Sequence, residues 1–142
     1  MITQNQQITI TIPATIDKAI TPNGMPRTRG GIMKRDRLQK ELKHTTMWAV
    51  KEHYLDVFPD APWRLDYVVA RAKGKQALDD DNIKASLKYV QDGIATERGI
   101  NDRYIEVGRV KQLRDPLGVG YIEVTIRSAI APAETQEAEV TS

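Results

Sequence analysis

Apolar and polar residues alternate strictly from Ile8 to Ile12 (ITITI), and Pro13 closes the run. Alternation of β-branched residues at period two predicts a half-buried strand. The stretch TPNGMPRTRGG, residues 21–31, holds two prolines, three glycines and an asparagine and predicts a loop. Helical spacing follows over 34–54, with Leu38, Leu42, Met47, Val50 and Tyr54 as predicted buried positions. Pro59 and Pro62 cannot continue a helix, so the chain is expected to break there and enter a second strand over 63–72 (WRLDYVVARA).

Ile83, Leu87, Val90 and Ile94 recur at steps of four, three and four, one face of a 3.6-residue period. They predict a helix over about 82–96, with Gly99 as its C-terminal stop. Strands are predicted over 104–113 and 119–127, joined by a turn at Arg114-Asp115-Pro116-Leu117-Gly118. The order β-α-β-α-β-β predicts an α+β fold, one mixed sheet with two main helices packed against it. The pattern defines a single domain over 1–128. Residues 129–142 are acidic and poor in bulky apolar side chains, a composition expected to stay disordered.

Charge adds a partner class. The formal net charge is +2, yet the last fourteen residues carry three glutamates and no basic residue, so the rest of the chain is more basic. Arg27, Arg29, Lys34, Arg35, Arg37, Lys40 and Lys43 face only Asp36 and Glu41 in the same stretch. That density suits a polyanion such as DNA, although a solvated helix face has the same appearance. Arg71, Lys73 and Lys75 stand at alternate positions, either facing DNA or ending a solvated strand. The chain has no cysteine, which removes disulfides and thiolate zinc sites and fits a reducing compartment. No apolar run reaches the roughly 18 residues of a membrane span, and no secretory signal is evident. The expected location is the cytoplasm, with no membrane partner.

Between the second strand and the second helix lies Gln76-Ala77-Leu78-Asp79-Asp80-Asp81-Asn82, with three adjacent carboxylates. One or two aspartates suit a helix start, where they accept free backbone N–H groups. In an extended segment residues two apart point the same way, so Asp79 and Asp81 are expected to converge. Converging carboxylate oxygens suit Mg²⁺, or Mn²⁺, far better than zinc or copper. Asp102, at a loop-to-strand junction, is the candidate third ligand. Lys84 and Lys88, one helical turn apart, are candidates to face a phosphate. A dication polarises a phosphodiester and activates water, so acidic cluster and basic stripe together are the components of a metal-dependent nuclease. A capped, solvated turn is the other reading of the same residues.

The ordered combination Asp79-Asp80-Asp81-Asn82, Lys88, Asp92-Gly93-Ile94 and Gly99-Ile100-Asn101-Asp102 resembles the RusA-type Holliday-junction resolvases, a family common in phages and prophages. The likeness covers about 63–127. It implies a homodimeric endonuclease that resolves four-way DNA junctions by paired nicks. Asp79, Asp81 and Asp102 would hold Mg²⁺, and Lys88, or Lys84 on the alternative alignment, would be the functional lysine. Arg27, Arg29, Lys34, Arg35, Arg37, Lys73, Lys75 and Lys84 would contact DNA. The family's acidic pair is Asn101-Asp102 here, and its proline-and-asparagine loop is echoed by residues 22–27. The competing functions are a non-catalytic DNA-binding protein and a metal nuclease for other branched DNA.

Two points are left to tertiary structure. A helix over 82–96 is about 22 Å long and carries the chain away from Asp81 before Asp102 appears. Either the following loop climbs back, or Asp102 serves the partner subunit. His44 and His53 are expected in surface or packing roles, and Trp48 and Trp63 in the core or a dimer interface.

Overall fold

The computed structural model describes residues 6–17, 20 and 28–129. The elements run β1 (Gln7–Ile12), α1 (Arg29–Lys51), β2 (Trp63–Arg71), α2 (Asp80–Arg98), β3 (Ile105–Arg114) and β4 (Tyr121–Ser128). They form the expected α+β arrangement, a four-stranded mixed sheet in the order β1-β4-β2-β3 with two helices. β2 and β3 are parallel, and β4 is antiparallel to both β1 and β2, so β1, β2 and β3 all run one way. Each helix connects two of these parallel strands.

Period-two patterning decides which face is covered. Ile8, Ile10 and Ile12, then Trp63, Leu65, Tyr67 and Val69, then Ile122, Val124 and Ile126 are buried in one core with Leu42, Val50, Ile83, Leu87, Val90 and Ile94 of the helices. Burying an isoleucine or leucine of this kind stabilises by about 1.5–3 kcal/mol. The opposite face carries polar groups: Thr9 and Thr125 share a hydrogen bond, and Asp66 bonds the Arg109 N–H (2.7 Å) and the Arg127 guanidinium. Asp66 sits where two residues of β3 oppose one of β2, a bulge between Leu65 and Tyr67.

The helices run the same way and touch closely. A Cβ added to Gly93 of α2 would lie 2.7 Å from the Lys43 carbonyl oxygen and 2.8 Å from the Thr46 Cβ, so only glycine permits this crossing. The hydroxyls of the buried residues Thr46 and Ser86 return to the Leu42 and Asn82 carbonyls four residues back (both 2.8 Å), which keeps them satisfied inside the core. Gly99 closes α2 in the left-handed region at φ 67°, where a side chain is costly.

Several boundaries and buried positions differ from expectation. α1 begins at Arg29, inside the predicted loop, because Thr28 caps it by accepting from the Gly31 N–H at 3.0 Å. It ends at Lys51, so Tyr54 falls in the following turn and is 73% exposed rather than buried. Trp48 is on the outer face of α1 and 67% exposed, whereas Trp63 is a core residue whose indole N–H donates to the Pro59 carbonyl at 2.7 Å. His53 also lies beyond α1 and pairs with Asp56 at 2.7 Å. Arg27, the loop 22–26 and the tail beyond Ala129 lie outside the described residues.

Candidate functional site

The parallel strands β1 and β2 leave the sheet at the same end, where α2 begins. α1 is 23 residues long, about 34 Å, and its C-terminal side leads to Val57, whose carbonyl accepts from Gln6 at the start of β1. Its first turns are therefore at the other end, beside the start of α2. Exit ends of parallel strands are where α/β sheets hold ligands, because loops and helix N-termini converge there.

Asp79 is the N-cap of α2, and Asp80 and Asp81 lie in its first turn. All three are exposed. The extended backbone expected over Asp79–Asp81 is corrected: Asp79 is extended as the N-cap but Asp80 and Asp81 are helical, so strand alternation is not what places their side chains. Asp79 makes no side-chain cap hydrogen bond, and so its carboxylate is not consumed by the helix end. Lys84 stands one turn beyond Asp81 and Lys88 two turns beyond, about 10 Å along the axis, both exposed. Lys84 is the nearer of the two to the carboxylates.

The segment before Asp79 is pinned by a residue that sequence reasoning did not single out. The Gln112 amide on β3 donates to the Leu78 carbonyl (2.7 Å) and accepts from the Leu78 N–H (3.1 Å). This reciprocal pair holds the loop in register with the sheet. A cleft of about 600 Å³ opens beside it, lined by Asp17, Arg71, Lys75, Gln76, Asp79 and Asn82 among others. Asp17 belongs to the chain leaving β1, and no sequence spacing links it to Asp79; the sheet order does. A second groove of about 670 Å³ continues past Lys73, Lys75 and Arg114 to Leu117.

The basic candidates divide by place. Arg29, Lys34, Arg35 and Arg37 are on the first turns of α1, and Lys73 and Lys75 are on the β2–α2 connection, all at the Asp79 end. Arg37 forms an exposed pair with Glu41 at 3.6 Å, a type of contact that contributes little to stability.

Asp102 is elsewhere. It opens a 3₁₀ turn, Asp102–Tyr104, and Ile105 just beyond pairs with Trp63 at the entrance of β2. The loop after α2 does not climb back. Among the described residues no three acidic or histidine groups come together as a metal site. Asn101 has a local task, accepting from the Arg103 N–H at 3.0 Å to cap that turn.

Among the described residues two groups have shifted acidity. Backbone N–H bonds from Gly120, Leu117 and Val119 hold the Asp115 carboxyl below its ordinary value. Burial, and then the nearby Asp92 charge, push the Tyr67 phenol well above its ordinary value.

No family model matches the chain, and no curated protein matches it. Among the described residues no helix is long and apolar enough to cross a membrane.

Proposed function

We propose that the protein is a Mg²⁺-dependent, structure-specific endonuclease that resolves four-way DNA junctions as a homodimer. The observation that carries this reading is that the exposed Asp79–Asp81 turn, the basic start of α1 and Lys73 and Lys75 all lie toward one end of the sheet, with Asp79 and Lys75 lining one cleft. A capping role alone would leave Asp79 with a side-chain bond to the helix, and it has none.

Asp79 and Asp81 offer hard anionic oxygens in solvent, a donor set that fits Mg²⁺ or Mn²⁺. A dication there supplies Lewis-acid polarisation of a phosphodiester. The chain's own residues do the rest. Lys84 and Lys88 place ammonium charge along α2, where a phosphate bound near its first turn would lie. The cations of α1 and of the β2–α2 connection hold the arms through phosphates, which position the substrate without reading sequence. Asp102 completes the acidic set only across a dimer, as Asp102 of the partner subunit. Two such sites related by a two-fold axis would nick strands of like polarity.

The deciding experiment compares Mg²⁺-dependent cleavage of a synthetic four-way junction and a linear duplex of the same sequence, using wild type and Asp81→Asn. Junction cleavage lost with binding retained is the expected result. Cleavage indifferent to the substitution would sink the proposal, and equal cleavage of linear duplex would shift it to a general nuclease.

A further inference from the structure

The β3–β4 connection crosses the exit end of β2, which lies between the two strands, and carries Asp115-Pro116-Leu117-Gly118-Val119-Gly120 with an apolar tip. Leu117 is 86% exposed and Val119 73%, and Leu117 is the most exposed large apolar residue among those described. An exposed leucine alone is unremarkable on a protein surface. This one is held in place by a set of polar contacts.

The Asp115 carboxylate, itself buried, accepts from three backbone N–H groups beneath the tip: Leu117 (3.0 Å), Val119 (3.2 Å) and Gly120 (2.8 Å). The Gly118 N–H donates to the Asp115 carbonyl at 2.9 Å, and the Lys73 N–H donates to the Gly118 carbonyl at 2.9 Å. Asp115 in turn donates its own N–H to the Arg71 carbonyl at 3.0 Å. Gly118 takes φ +77°, a conformation that favours glycine. The β3–β4 connection is thus tied to the β2–α2 connection, and its apolar tip is presented with little conformational freedom to lose on binding.

The surroundings are cationic. Lys73, Lys75 and Arg114 line the same groove as Leu117, and the carboxylate there, Asp115, is turned inward and occupied by backbone donors. An apolar projection flanked by cations suits a duplex: phosphates meet the charges while an aliphatic side chain enters the base stack. A protein surface would match the leucine but leave the three cations facing it unexplained.

We propose that the Pro116–Leu117 tip is a wedge that inserts beside the branch point of DNA and unstacks the bases there, with Lys73, Lys75 and Arg114 on the adjoining phosphates. This rests on the nuclease reading above. It adds a selectivity device: bases at a branch are already imperfectly stacked, so inserting Leu117 costs less there than in continuous duplex.

The test uses full-length protein without divalent metal and a junction carrying 2-aminopurine next to the branch, whose fluorescence rises on unstacking. Wild type is expected to raise the signal. Leu117→Ser is expected to lose most of the rise and about tenfold in junction affinity, the worth of one buried leucine less the unstacking it must offset. Leu117→Met should keep both. A rise undiminished in Leu117→Ser overturns the wedge, and so does a change of oligomeric state in that variant by light scattering, which would make the tip a contact between copies. Binding without any rise in wild type also overturns it while leaving the nuclease reading standing. Failure to bind branched or linear DNA at all would sink both.

Discussion

Asp79 and Asp102 stand at opposite ends of β2. Asp79 follows the exit of the strand at Arg71, whereas Asp102 precedes Ile105, the partner of Trp63 at its entrance. The nine-residue strand spans about 26 Å. Two carboxylates that far apart cannot hold one ion, so a three-aspartate centre requires a second copy of the chain, turned end to end.

That relationship makes a prediction for mixed dimers. Asp81→Asn and Asp102→Asn homodimers should each be inactive, losing more than the roughly 10–100-fold that an outer-shell change costs. A dimer of one Asp81→Asn and one Asp102→Asn subunit keeps one intact centre and should nick a single strand of a junction. Mixed dimers as dead as the parents would show that Asp102 does not act across the interface.

Gln112 makes both of its bonds to Leu78, next to Asp79. Gln112→Ala should free this segment and weaken Mn²⁺ binding by roughly 10-fold, as loss of an outer-shell support does. Titration calorimetry with Mn²⁺ reads the effect. Unchanged affinity with a lowered melting temperature would confine Gln112 to stability.

Gly93 lies against α1 with no room for a methyl group. Gly93→Ala should cost about 1–3 kcal/mol by forcing the helices apart, against the small gain in helix propensity. Urea unfolding measures this. A variant as stable as wild type would mean that α1 shifts without penalty.

The Tyr67 hydroxyl is buried with no hydrogen-bond partner among the described residues. Tyr67→Phe should be neutral or stabilising by about 1 kcal/mol at pH 7. Because the folded phenol is held above its ordinary value, the unfolded chain releases that proton first. Stability therefore falls as pH rises past about 10, and Tyr67→Phe should remove that part of the fall. Denaturant melts at pH 7 and above pH 10 check both statements.

Asp115 has the opposite sign. Its folded value is lowered by the N–H groups of Gly120, Leu117 and Val119, so its contribution is present above the unfolded value of about 4 and is lost as pH falls through the folded one. Asp115→Asn keeps only one accepting oxygen for the donors beneath the tip of the β3–β4 connection. It should lower the melting temperature at pH 7 and flatten the loss of stability in acid. Equal acid profiles for the two proteins would contradict this.

The chain by itself determined its elements, because each rests on a local period. The alternation at Ile8, Ile10 and Ile12 and the four-three-four steps from Ile83 to Ile94 need no knowledge of the fold, and Gly99 stops α2 through its own backbone freedom. The aspartate run before a helix and the basic stretch from Arg29 onward are likewise local, so both halves of the candidate site were visible as composition. Misreadings came where neighbours in space overrule neighbours in sequence. Asp80 and Asp81 joined the helix instead of an extended segment, and of the two places expected for Trp48, core or dimer interface, the core is closed to it because Leu42, Thr46, Ala49 and Val50 take the inner side of α1. Only the tertiary structure decided that the starts of α1 and α2 share one end of the sheet. It also brought Gln112 and Asp17 to Asp79, and it set Asp102 a whole strand away. Those placements follow from strand order and crossover direction, and nothing in the spacing of residues along a chain encodes which strands become neighbours.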